Sequence, residues 1–145
     1  MPKPKVLFLC TGNSCRSQMA EGWLRNIAGD SFEAFSAGIT PVGINSTAIA
    51  VMSEIGIDIS GQRSKSVSEL LGQHFAYIIT VCDSAREHCP IFPGPSERLH
   101  WSLEDPASSV GTDEQRLGVF RRVRDEIGDR VRQFVRRTTL HAASK

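Results

Sequence analysis

Four consecutive apolar residues, Val6-Leu7-Phe8-Leu9, run directly into Cys10-Thr11-Gly12-Asn13, and an amphipathic stretch follows within a few residues. A short apolar run ended by turn-forming residues suits a buried strand entering a tight loop. From Ser17 onward Met19, Ala20, Trp23, Leu24 and Ile27 recur at helical spacing, and Gly29 supplies a stop. The order is strand, loop, helix.

The pattern repeats along the chain. Phe32 to Ser36 reads as a second strand, followed by a loop from Ala37 to Gly43. A second helix has Asn45 or Ser46 as its cap, Ile49, Met52 and Ile55 on one face, and Gly56 as its end. Ser66-Val67-Ser68-Glu69 has the form of a capping box, which predicts a short helix to about Gly72. Ala76 to Val81, rich in β-branched and aromatic residues, is the strongest strand signal and delivers Cys82 to a loop. After the breakers Pro90, Pro93, Gly94 and Pro95, Arg98 to Trp101 reads as a fourth strand. A last helix starts near Thr112 or Asp113 and turns Leu117, Phe120, Val123, Ile127, Val131, Phe134 and Val135 inward. Alternating strands and helices predict an α/β fold, a four-stranded parallel sheet between helices in three α/β/α layers. The 145 residues predict one domain over 1–145.

Seventeen Lys and Arg against 16 Asp and Glu leave a net charge of +1, so no global field draws the chain to nucleic acid or anionic lipid. The arginines of the last helix are interleaved with Asp125, Glu126 and Asp129, the pattern of a solvated face. No apolar run approaches a membrane span, and Val6 to Leu9 is too short for a signal-peptide core. A cytoplasmic protein is expected, in which four cysteines are catalytic, redox-active or metal-binding more often than disulfide staples.

Cys10 and Arg16 stand six residues apart across the loop that leaves the first strand and enters the first helix. That layout builds an anion cradle. Gly12 and Asn13 tolerate the conformations that turn successive backbone N–H groups inward, and the helix behind adds the positive end of its dipole. Thr11, Gly12, Asn13, Ser14, Cys15, Arg16 and Ser17 are the predicted oxyanion-binding residues, with Arg16 gripping two oxygens through its planar fork. The same field favours a thiolate at Cys10 and makes it the candidate nucleophile. Asp105, ahead of Pro106, is the candidate general acid for a departing oxygen, and equally a turn-forming Asp-Pro.

Cys82 and Cys89 lie seven residues apart. If the residues between them are helical, their Cα atoms are about 10 Å apart, whereas a disulfide needs roughly 4.4–6.8 Å. A pair that bonds only after unwinding is a candidate redox relay, although two unrelated core thiols fit the spacing as well. Zinc is a poor explanation, since there is no Cys-x-x-Cys and His88 lies directly beside Cys89. Cys15 is read as a small buried side chain, Trp23 and Trp101 as core, and the four histidines as structural or exposed.

Cys10 to Ser17 with Met19-Ala20-Glu21-Gly22, then Ser36-Ala37-Gly38, Gly56-Ile57-Asp58-Ile59-Ser60, Val81-Cys82-Asp83, Cys89-Pro90, His100-Trp101 and Asp105-Pro106, resembles the arsenate reductases built on the low-molecular-weight protein tyrosine phosphatase fold. The resemblance implies that Cys10 attacks arsenate and Asp105 protonates the leaving oxygen. Cys82 then attacks the Cys10–arsenic adduct, releasing arsenite, and Cys89 carries the disulfide outward to thioredoxin or to glutaredoxin with glutathione. Thiol exchange supplies both electrons, so no organic cofactor is implied. Ser17 would hydrogen-bond the Cys10 thiolate. Some members hold potassium through the equivalent of Asn13 and a nearby carboxylate; Lys65 stands where that carboxylate is expected, so no metal is implied and the ammonium takes its electrostatic place. A monomer suffices. The alternatives are a low-molecular-weight phosphotyrosine phosphatase, which leaves Cys82 and Cys89 without work and usually carries aromatic residues where Ala107 and Ser108 stand, and a non-enzymatic anion-binding or redox-sensing module.

Overall fold

The computed structural model describes residues 2–143. Four parallel strands, β1 (Lys5–Cys10), β2 (Glu33–Gly38), β3 (Tyr77–Thr80) and β4 (Glu97–His100), form one sheet in the order β2-β1-β3-β4. Period-two alternation sorts β1 between two cores. Val6, Phe8 and Cys10 face α1 (Arg16–Ala28), α2 (Ser46–Ser53) and α4 (Asp113–Ala143), while Leu7 and Leu9 face α3 (Asp83–Glu87) and a 3₁₀ turn over Val67–Leu70. The expected three-layer α/β/α arrangement with a four-stranded parallel sheet is the one observed.

Boundaries differ where tertiary contacts override local signals. β2 runs to Gly38 because its last residues pair with Leu9 and Cys10. Ser66 does cap, its Oγ accepting from Ser68 N at 3.2 Å, but only a single 3₁₀ turn follows rather than a helix to Gly72. Asn45, not Ser46, caps α2, accepting from the amides of Thr47 and Ala48. The segment after Cys82, read from sequence as a loop, forms the five-residue α3.

The long α4 closes the first core with Phe120, Val123, Ile127, Val131 and Phe134. It approaches α1 so closely that a Cβ at Gly128 would lie 2.6 Å from the Trp23 ring, and Trp23 Nε1 donates to Arg124 O at 2.9 Å. Most of its arginines are paired: Arg121 with Glu54, Arg122 with Glu104, Arg132 with Asp129 and Arg137 with Glu97. Arg124 departs from the solvated-face reading. It is buried, and donates to Asp125, Glu54 and Val51 O. Among the described residues no helix is long and apolar enough to cross a membrane.

In the order β2-β1-β3 the chain leaves β1 to one side for β2 and crosses to the other side for β3. Ligands of open α/β sheets bind outside the carboxyl ends of the strands at such a switch point. Cys10 ends β1 there, and Cys82 follows β3 with only Val81 between.

Candidate active site

The loop after β1 is shaped by where its carbonyls go. Cys10 O accepts from Ile39 N, Thr11 O from Thr40 N, Gly12 O from Val42 N, Asn13 O from Gln18 Nε2 and Ser14 O from Asn45 N. Every carbonyl from Cys10 to Ser14 is thus committed outward, and the amides are the groups left to face inward. Asn13 makes this turn at φ 48°, held by side-chain bonds in which its Oδ1 accepts from Gln18 Nε2 and Lys65 N, each at 2.9 Å. β2 must pass tightly behind. A Cβ at Gly38 would lie 2.7 Å from Thr11 O and 2.9 Å from Asn13 N.

The loop walls a cavity of about 250 Å³, to which Cys10, Thr11, Gly12, Ser14, Cys15 and Arg16 contribute from one side and Asp105 from the other. Cys10 is 4% exposed. Arg16 NH1 donates to Leu103 O at 2.9 Å and more weakly to Val81 O at 3.4 Å, which fixes the plane of the guanidinium. Its buried Nε has no partner among the described residues, and NH2 lies 3.9 Å from Asp105 Oδ2. The Nε and NH2 edge is therefore the one able to grip two oxygens of an oxyanion. Substituting Lys for Arg16 keeps one donor and loses the fork. Steady-state turnover is expected to fall roughly 100- to 1000-fold, as for loss of a preorganised oxyanion donor. Near-normal kinetics would place the oxyanion elsewhere.

Asp105 forms the turn its sequence context allowed and also faces the cradle. Its Oδ1 caps the turn at Pro106 by accepting from Ala107 N at 3.0 Å, and Oδ2 accepts from Ser108 Oγ at 2.9 Å while facing Arg16. Cys15 is buried as expected, and desolvation pushes its thiol up to about 11, so it enters the cavity wall as a neutral group. Ser17 differs from the expectation. Its hydroxyl accepts from Asn13 Nδ2 at 2.9 Å, and no bond to Cys10 is among its contacts. The residues do not fit a bound cation near the loop: Asn13 Oδ1 already accepts two hydrogen bonds, and Lys65 Nζ, its basicity lowered by burial, donates to Arg63 O.

All four cysteines are free thiols. Cys10 and Cys82 sit close enough for each sulfur to bias the other's proton, and the pair titrates differently from the isolated Cys10 read from sequence. The neighbouring Cys82 and burial together favour the proton on Cys10, against the pull of Arg16 and the Gly12 amide. The neighbouring Cys10, then Thr11 Oγ1 at 3.2 Å, the Ala85 amide and Arg16, bring half-buried Cys82 down to about 5. The pair thus carries one thiolate at neutral pH, its remaining proton shared between the two sulfurs. Thiolate ultraviolet absorbance is expected to show one group titrating near pH 5. Cys82→Ser should abolish it. If Cys10→Ser abolishes it and Cys82→Ser does not, the charge resides on Cys10.

Cys89 lies beyond α3, apart from the cradle, packed against the Leu7 and Leu9 face of the sheet. The structure thus joins Cys10, Arg16 and Asp105 around one cavity, sets Cys82 beside Cys10, and leaves Cys89 outside. Sequence reasoning missed the groups that orient these residues: Gln18 on Asn13, the carbonyls of Val81 and Leu103 on Arg16, and Thr11 on Cys82.

A thiol and an arginine on a strand–loop–helix cradle, with an aspartate opposite, define a phosphatase-type oxyanion site. The profile of the low molecular weight phosphotyrosine protein phosphatase family matches residues 5–144, and the chain belongs to that family. Within it, the chain is 51% identical over 134 residues to an arsenate reductase of Halalkalibacterium halodurans, covering 92% of this chain and 96% of the relative. An arsenate reductase solved in its oxidized state superposes with a TM-score of 0.79 at 33% identity, covering 92% of this chain and 97% of that one. A thioredoxin-dependent arsenate reductase of Corynebacterium glutamicum superposes at 0.73 with 32% identity, over 97% of this chain and 64% of that one.

Proposed function

We propose that this protein is an arsenate reductase that works by a three-cysteine relay. The observation that carries the reading is a second sulfur, Cys82, close enough to couple with Cys10 of the oxyanion cradle. A phosphatase needs only one. Relatives of the same length that are named arsenate reductases support it.

Arsenate sits against the inward amides and the Nε and NH2 edge of Arg16. As Cys10 attacks, the forming bond to arsenic takes up the charge that burial keeps off the free sulfur, and its proton passes to the neighbouring Cys82, helped by Arg16 and the Gly12 amide. Asp105 protonates the departing oxygen, which leaves as water. Cys82, deprotonated again, attacks the Cys10 sulfur. The S–As bond breaks, its electron pair stays on arsenic to give arsenite, and a Cys10–Cys82 disulfide forms. Cys89 then attacks Cys82 and frees Cys10. An external thiol carrier, thioredoxin or glutaredoxin with glutathione, returns two electrons to the Cys82–Cys89 disulfide, so the chain itself needs no organic cofactor. We place this monomeric enzyme in the cytoplasm, where such carriers keep thiols reduced.

The test is arsenate-dependent NADPH consumption with thioredoxin and its reductase, compared with glutaredoxin and glutathione. Sustained arsenite production with either carrier supports the reading. Absence of turnover with both, together with hydrolysis of aryl phosphate, would return the chain to the phosphatase reading, in which Cys82 and Cys89 have no work.

A further inference from the structure

The contact made by Cys89 is independent of the cradle. β3 pairs with β4 so that Ile78 stands beside Arg98, and Arg98 extends its guanidinium to the far end of α3. NH1 donates to Cys89 Sγ at 3.0 Å and NH2 to Pro90 O at 3.2 Å. The planar fork thus spans the thiol and the next carbonyl, holding the sulfur by one bond and the backbone beside it by the other. The neighbouring Arg86 and Arg98 also line a cavity of about 180 Å³ beside Cys89, so the sulfur has room on one side. Arg98 carries no carboxylate partner among the described residues: its recorded contacts are this sulfur and this carbonyl.

We propose that Arg98 is the positioning residue for the last intramolecular step, the attack of Cys89 on Cys82, an inference that rests on the three-cysteine reading. In that step the Cys89 thiolate attacks the Cys82 sulfur of the Cys10–Cys82 disulfide. The Cys82–Cys89 bond forms, the Cys10–Cys82 bond breaks, and the electron pair leaves on Cys10; the disulfide count is unchanged. A cationic N–H donor on Cys89 strengthens as the thiol loses its proton, and so raises the fraction of thiolate ready to attack. β4 holds the donor in place for that step, and the contact is released as α3 unwinds and the sulfur moves to Cys82. Arg98 is exposed and does not line the cradle cavity, so arsenate capture and closure of Cys82 on Cys10 proceed without it.

The experiment is a single turnover of the full chain with excess arsenate, quenched by acid alkylation and followed by peptide mass mapping. Arg98→Met, which keeps the apolar stem, should release one arsenite per enzyme at the wild-type rate and then convert Cys10–Cys82 to Cys82–Cys89 at least tenfold more slowly. The normal first burst shows that the variant is folded. Arg98→Lys should recover part of the rate, since an ammonium reaches the sulfur but does not span the carbonyl as well. Conversion by Arg98→Met at the wild-type rate, or faster, overturns the proposal, the faster rate marking Arg98 as a clamp that restrains Cys89. A wild type that never forms Cys82–Cys89 is a separate result, and it overturns the relay itself.

Discussion

Cys10→Ser is expected to abolish arsenite production, with kcat falling by about 10⁴-fold or more, the scale seen when an activated nucleophile is removed. A serine hydroxyl stays protonated in the same place, and the Cys82 thiolate beside it is too weak a base to change that. The fold should tolerate the exchange. Cys10 is buried, but the loop is held by its outward carbonyls and by Asn13, none of which uses the Cys10 sulfur. Inorganic phosphate binding, measured by calorimetry, should therefore persist in the variant and separate a lost nucleophile from a collapsed cradle. Retention of more than about one per cent of turnover would take the nucleophile role from Cys10.

Cys89→Ser should lose multiple turnover yet still release one arsenite per enzyme, because Cys10 and Cys82 alone complete the reduction. Turnover then stalls at a Cys10–Cys82 disulfide, detectable by peptide mapping, whereas the oxidised wild type should hold Cys82–Cys89. That second disulfide carries a structural consequence. α3 occupies Asp83–Glu87, and at about 1.5 Å rise per residue the two cysteines flanking it stand too far apart to bond while it is helical. Oxidation of the wild type must unwind α3 and release its contacts to β4, His100 Nε2 to Asp83 at 3.1 Å and Arg98 to Cys89. Hydrogen exchange over residues 83–94 is expected to be faster in the oxidised than in the reduced wild type. Normal multiple turnover by Cys89→Ser with thioredoxin would mean that Cys15 or an external thiol resolves the intermediate.

The cradle was legible because its determinants are local. Cys10, Gly12, Asn13 and Arg16 fall within one strand–loop–helix segment, and backbone geometry at that junction follows from a few consecutive residue types. Asp105 was half legible: an Asp-Pro turn and a general acid look the same in sequence, and here one carboxylate serves the cap while facing Arg16. Arg98 carried no signal, since an arginine on a short edge strand has many uses and only the pairing of β4 with β3 aims it at Cys89.

By itself the sequence determined the alternation of strands and helices, the anion cradle at the end of β1 and the spacing that makes a Cys82–Cys89 disulfide require unwinding. These depend on periodicity, turn chemistry and chain length between neighbours. Only the tertiary structure decided that two thiols titrate as one pair. Cys10 and Cys82 lie 72 residues apart in the chain, and their shared proton, the Thr11 bond to Cys82 and the burial that keeps Cys10 protonated exist because β3 pairs beside β1. Proton affinity in such a pair belongs to the contact and its dielectric surroundings, and neither is a property of the residues read one at a time.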